Sequence, residues 1–119
     1  MMTEVAKSVT FTEKEVEFLM ESKIARLATS SLDGQPHVVP IVYEFDGLAL
    51  YFSGWNLQKS LKFKNLLHNR KVSVVIDDLV SVKPWRPRGI EMRGAAEIVE
   101  TEGSLYVKVV PSRKVSWGL

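Results

Sequence analysis

Cysteine is absent from this 119-residue chain, which removes disulfides, thiolate metal sites and cysteine nucleophiles together. Histidine is scarce: only His37 and His68 occur, and their placement does not resemble a metal site. No apolar run approaches transmembrane length, and Met1 to Thr10 contain none that would serve as a signal peptide. A cytoplasmic protein without a membrane partner is therefore expected. Glycine-rich phosphate loops of the nucleotide-triphosphate and dinucleotide types are both missing, as is a nucleophile elbow. Nothing nominates a general base, so the catalytic residues stay unassigned and any chemistry is expected from a bound cofactor. The net charge of +2 is too small to predict a nucleic-acid partner.

What is present describes one ordinary globular domain over residues 1–119, with 45% hydrophobic and 25% charged residues. Thr12 and Glu15 form a capping box, and Phe11 and Val16 have the spacing of a hydrophobic staple. Val16, Leu19 and Met20 then make an apolar stripe, which predicts a helix packed on a sheet. The period changes after it. Ile24 to Ser30 reads as a strand, turned by Asp33-Gly34 into a second, His37 to Tyr43. Asp46-Gly47 turns that into a third, Leu48 to Ser53, and the two Asp-Gly turns suggest an antiparallel meander. Pro40 cannot donate to a ladder, so its strand is expected at an edge or at a bulge.

Gln58 to His68 returns to helical spacing, with Leu61 and either Leu66 or Leu67 facing inward. Strands follow at Lys71 to Asp78, Ile90 to Glu100 and Leu105 to Val110, with Arg113 to Trp117 as a short last one. Between the fourth and fifth strands, Asp78 to Gly89 reads as a loop of a length usually tied to function. The expected fold is mainly β with two or more short helices: a small barrel of six or so antiparallel strands, closed so that no edge is exposed.

Two segments carry candidate chemistry. Ser60 to Leu66 begins a helix directly after a strand, where free N–H groups and the helix dipole favour an anion. Lys59 and Lys62, three apart, project from one face there, and Ser60 adds a hydroxyl donor, which together suit a phosphate monoester. A solvated basic helix is the plainer reading of the same residues. In the second segment, Lys83 to Gly89, proline stiffens the backbone while Trp85, Arg86 and Arg88 supply planar groups able to stack on an aromatic ring. Packing of Trp85 on the barrel or on another subunit explains that loop equally.

The order of elements, with Lys62-x-x-Asn65-Leu66, Asn69-Arg70-Lys71-Val72-Ser73-Val74, the block Pro84-Trp85-Arg86-Pro87-Arg88-Gly89-Ile90-Glu91-Met92-Arg93-Gly94 and the closing Val115-Ser116-Trp117-Gly118, resembles the FMN-binding split-barrel proteins. The nearest likeness is to the small, pyridoxamine-5′-phosphate-oxidase-like branch that uses FMN or the deazaflavin F-420. It runs from Phe11 to Gly118, and the Pro-Trp-Arg-Pro-Arg-Gly block is its most specific part.

The resemblance implies a split β-barrel homodimer and a flavin-dependent oxidoreductase with a small-molecule substrate. His37, Val38, Val39 and Pro40 would border the flavin through the second strand. Phe52 and Ser53 match a Tyr-Thr pair beside the ribityl phosphate, and Lys62 matches the lysine of an Arg-Lys phosphate pair whose arginine is here Leu61, with Lys59 and Ser60 placed to compensate. Trp85 and Arg88 would come from the partner subunit or the substrate side. The family pair Arg-Gln is here Arg88-Gly89, and the chain stops before the part that binds pyridoxal phosphate, so vitamin B6 oxidation is not implied. A barrel of about six strands has no interior room for a flavin, which independently puts the cofactor outside, in a cleft between subunits. Two other readings of the same residues are a flavin or phospholigand carrier without turnover and an oligonucleotide-binding barrel, the latter disfavoured by the low net charge.

Overall fold

The computed structural model describes residues 9–119. Helix α1 spans Glu13–Glu21, and its start is as the residues predict: the Thr12 hydroxyl accepts from the Glu15 N–H at 3.2 Å, and the Glu15 carboxylate accepts from the Thr12 N–H at 2.8 Å. Its buried face differs from the expected stripe. Phe18 and Leu19 are buried, whereas Met20 is 53% exposed.

Seven strands follow: β1 Ile24–Ser30, β2 Pro36–Val42, β3 Glu44–Phe45, β4 Leu50–Phe52, β5 Lys71–Ser81, β6 Arg86–Thr101 and β7 Ser104–Trp117. They form one antiparallel sheet in the order β2-β1-β5-β6-β7-β4-β3. The expected meander stops at β2. Among the described residues that strand pairs with β1 only, and after Tyr43 the same run of chain pairs as β3 with β4. The two ends of the sheet are thus consecutive in sequence, so the sheet must curl, giving a half-barrel consistent with a split barrel. Tyr43 holds the seam: its hydroxyl donates to the Leu19 carbonyl at 2.7 Å. Pro40 sits on the edge strand, opposite Arg26, where its missing N–H is tolerated.

Side chains fill the inside of the curl. Leu27, Leu50, Val74, Ile76, Ile90, Met92, Val107 and Val109 are all essentially inaccessible, and both helices add to them. Helix α2 is Leu61–His68, shorter than the expected Gln58 to His68, because Leu57–Lys59 forms a separate 3₁₀ turn and Ser60 caps the helix that follows. Leu66 faces the core as expected, joined by Phe63, while Leu61, also expected to face inward, and Leu67 are half exposed.

The expected loop from Asp78 to Gly89 is two arms of a hairpin. β5 and β6 stay paired out to Ser81 and Arg86, leaving a short tip around Trp85. Pro87 fits because β7 joins β6 only from Gly89 onward, leaving one side of β6 without a neighbour there. The two predicted terminal strands are one, β7. Arg93 faces Arg113 and Gly94 faces Pro111, so Ser112 is the extra residue of a β-bulge that carries the strand past its proline. Gly94 is required at this point, since a Cβ there would run into the Val110 carbonyl.

Candidate functional site

The predicted site residues fall into three places. On β2 the side chains alternate: His37 and Val39 turn inward and are half buried, while Val38 and Pro40 are exposed. Among the described residues one edge of this strand faces no other strand, leaving backbone groups available to a ligand. His37 lies directly opposite Thr29, its Nδ1 is buried without a partner among the described residues, and the Thr29 hydroxyl accepts from Asn65 Nδ2 at 3.0 Å. Phe52 is buried in the core and offers only its backbone, whereas Ser53 is exposed and donates to the Leu105 carbonyl at 3.3 Å. A hollow of about 330 Å³ lined by Val42, Tyr43, Glu44, Tyr51, Phe52 and Ser53 brings the Phe52-Ser53 pair against the chain leaving β2.

At α2 the expected common face of Lys59 and Lys62 does not form, because the backbone extends at Ser60 and puts the two lysines on separate turns. Lys59 is exposed and Lys62 half buried. The Ser60 hydroxyl accepts from the Phe63 N–H at 3.3 Å and donates to the Leu57 carbonyl at 2.6 Å, so its proton is already committed.

The third place is the β5–β6 hairpin. Trp85 is 67% exposed near its tip. Arg88 makes a two-pronged ion pair with Asp78, holding that carboxyl below its usual range, and its guanidinium lies 4.9 Å from the Phe18 ring centroid.

A larger opening lies elsewhere. A groove of about 890 Å³ crosses the outer face of β1, β5, β6 and β7, with Ala28, Ser73 and Ala95 in its floor and Lys71, Arg93 and Arg113 among its lining. None of the predicted side chains lines it. The signal for it was the alternation within β5 and β6, which turns Lys71, Ser73, Arg93 and Ala95 to one face, but strand parity tells nothing of which strands become neighbours.

A family model described as pyridoxamine 5′-phosphate oxidase matches residues 11–118. The chain belongs to the pyridoxamine 5′-phosphate oxidase family. A curated relative, the 5a,11a-dehydrotetracycline/5a,11a-dehydrooxytetracycline reductase of Streptomyces rimosus, is 31% identical, the match covering 92% of this chain and 84% of that protein. Among solved structures, a conserved hypothetical protein of Mycobacterium tuberculosis is 26% identical with a TM-score of 0.76, covering 98% of this chain and 89% of that one. An F-420 reductase shares the fold with a TM-score of 0.72 at 23% identity, covering 88% of this chain and 98% of that one. Membership in the pyridoxamine 5′-phosphate oxidase family makes the chain a member of a group of flavin-dependent oxidoreductases.

The residues present fit such a cofactor. The filled interior leaves it the outside of the barrel, the unpaired edge of β2 offers backbone groups to a ring edge, and Lys59 and Lys62 offer charge to a phosphate. Among the described residues no helix is long and apolar enough to cross a membrane, and no cluster of His, Asp and Glu could hold a metal ion.

Proposed function

We propose that this chain works as a homodimeric oxidoreductase that binds FMN, or the deazaflavin F-420 in its place, in a cleft outside the barrel that a second copy completes. The family match over nearly the whole chain carries the reading. The relatives' names point the same way, one a tetracycline-type reductase and one an F-420 reductase. When bound, the cofactor supplies hydride or electron transfer to a small substrate.

The chain's own part is binding and placement. Lys62, with Lys59 from the preceding turn, neutralises the phosphate, and the edge of β2 from His37 to Pro40 hydrogen-bonds the ring. Phe52 and Ser53 border the ribityl chain through the backbone and one hydroxyl. Trp85 projects from a paired hairpin and reaches across to the partner subunit, while Arg88 holds the base of that hairpin against α1. Exposed Ile24 of β1 beside exposed Val42 and Val38 of the neighbouring β2 supports the dimer, because apolar patches of this kind are usually covered.

The test is the colour, mass and stoichiometry of the purified protein. The expected result is a yellow dimer of twice the 13.5 kDa chain that takes up one FMN or F-420 per subunit, measured by light scattering and absorbance titration. A monomer that binds flavin stoichiometrically would overturn the interface, and a protein that binds neither cofactor would overturn the function.

A further inference from the structure

Arg93 of β6 and Arg113 of β7 are direct cross-strand partners on the outer face of the sheet. Like charges placed so repel and destabilise a ladder. Arg93 is partly compensated by Glu91, Nε to Oε1 2.7 Å, but Arg113 has no ion-pair partner among the described residues. The bulge at Ser112 is the local cause, since the extra residue sets which side chain of β7 stands opposite Arg93. On the other side of Arg93 its partner is Ser73, and Lys71 lies two residues along the same strand, on the same face. A third cation therefore joins the pair, and Glu97 is the one carboxylate in the lining of the groove they border.

The groove has the size of a small-molecule site: about 890 Å³, where such sites run to roughly 300–1,000 Å³. Its floor is built from small side chains, Ala28, Ser73 and Ala95, with Gly94 between. A surface of that kind lets a flat ring lie close to the backbone, where a large side chain would stand in the way. Two guanidinium forks side by side suit an anionic oxygen pair, which would remove the repulsion between them. Inorganic phosphate alone would use the cations and leave the apolar floor unused.

We propose that this groove is the substrate seat and selects planar, conjugated molecules that carry an acidic oxygen, with the anion bridging Arg93 and Arg113. The inference rests on the oxidoreductase reading above and names the substrate class for it. Lys59 and Lys62, assigned there to the cofactor phosphate, do not line the groove, so the two anions have separate partners.

The probe is anthracene-2-carboxylate, with the neutral 2-anthracenemethanol as its control, each followed by fluorescence anisotropy on the purified protein. The expected result is tighter binding of the acid, a preference that falls by about tenfold in Arg113→Gln and in Arg93→Gln, the loss of one charge-assisted contact. Arg113→Lys keeps most of the preference. FMN affinity, measured by absorbance titration on the same variants, stays at the wild-type value, which also shows that they fold. Equal binding of acid and alcohol overturns the proposal, as does an unchanged preference in both glutamine variants. Displacement of the probe by FMN, with weaker FMN binding in Arg113→Gln, overturns it too and gives the groove to the cofactor. An acid preference lost in Arg113→Gln, in a protein that binds neither FMN nor F-420, supports the groove's selectivity and overturns the oxidoreductase reading instead.

Discussion

Arg88 and Asp78 face each other across the β5–β6 ladder and close a two-pronged ion pair, Nε to Oδ1 at 2.7 Å and Nη2 to Oδ2 at 2.9 Å. The same guanidinium lies over the Phe18 ring of α1, so one side chain joins the base of the hairpin to the helix. Both partners are well exposed to solvent, which limits the pair to about 0.5–1 kcal/mol. Arg88→Lys loses the fork and is expected to lower the melting temperature by about 2–5 °C in a scanning calorimeter. An unchanged melting temperature would show that the hairpin needs no such anchor.

Glu15 gives the stability a pH dependence. Burial pushes its carboxyl up, but the bond from Lys114 Nζ at 2.5 Å, the Thr12 N–H, the Ser116 hydroxyl and the Lys114 charge outweigh that and hold it at about 2, against 4.5 in water. A carboxyl depressed in the fold stabilises it above the unfolded value and loses that contribution as pH falls. The expected loss is about 2–4 kcal/mol between pH 5 and pH 2, by the linkage relation. Urea melts of wild type and Glu15→Gln across that window check it: the variant is less stable near neutrality, and its acid slope is shallower.

Lys62 is expected to hold the flavin phosphate with a charge-assisted hydrogen bond of roughly 1.5–3 kcal/mol. Lys62→Ala then weakens FMN binding roughly ten- to hundredfold and leaves riboflavin, which has no phosphate, nearly unchanged. Lys64→Ala, on another face of α2, alters neither. Equal FMN affinity in wild type and Lys62→Ala would move the phosphate site away from this helix.

Trp85 at the hairpin tip is expected to approach the cofactor of the partner subunit. Flavin binding should quench tryptophan emission, and Trp85→Ala should remove part of that quenching. Trp55 and Trp117 are also partly or fully exposed and emit as well, so the wild-type comparison decides the result. Identical quenching in the two proteins would leave the hairpin a packing role.

Several features were legible because they depend on neighbours in the chain. The Thr12 capping box and the Asp-Gly turns are local chemistry: in the second turn Asp46 Oδ1 accepts the Leu48 and Ala49 N–H groups at 2.8 Å each. Pro40 announced an edge because a missing N–H has the same cost in any fold. The inward face of α2 was less legible, since Leu61, Phe63, Leu66 and Leu67 spread apolar side chains around most of the helix. Only the surface that the helix meets decides between them. Asp78 to Gly89 read as a loop because its prolines mark breaks, yet pairing with β5 carries the ladder through Pro87, whose other side β7 does not reach.

The sequence by itself determined the caps, the turns, the alternating strands and the motif blocks that mark the family, because each is a matter of short-range sterics and hydrogen bonding. Tertiary structure alone decided that β2 and β3 end the sheet on opposite sides. It also decided that Arg93 stands against Arg113 over a floor of small residues. These are pairings between residues far apart in the chain. They are set by how a twisted sheet curls around a filled core and by where one bulge shifts its register, which no local pattern encodes.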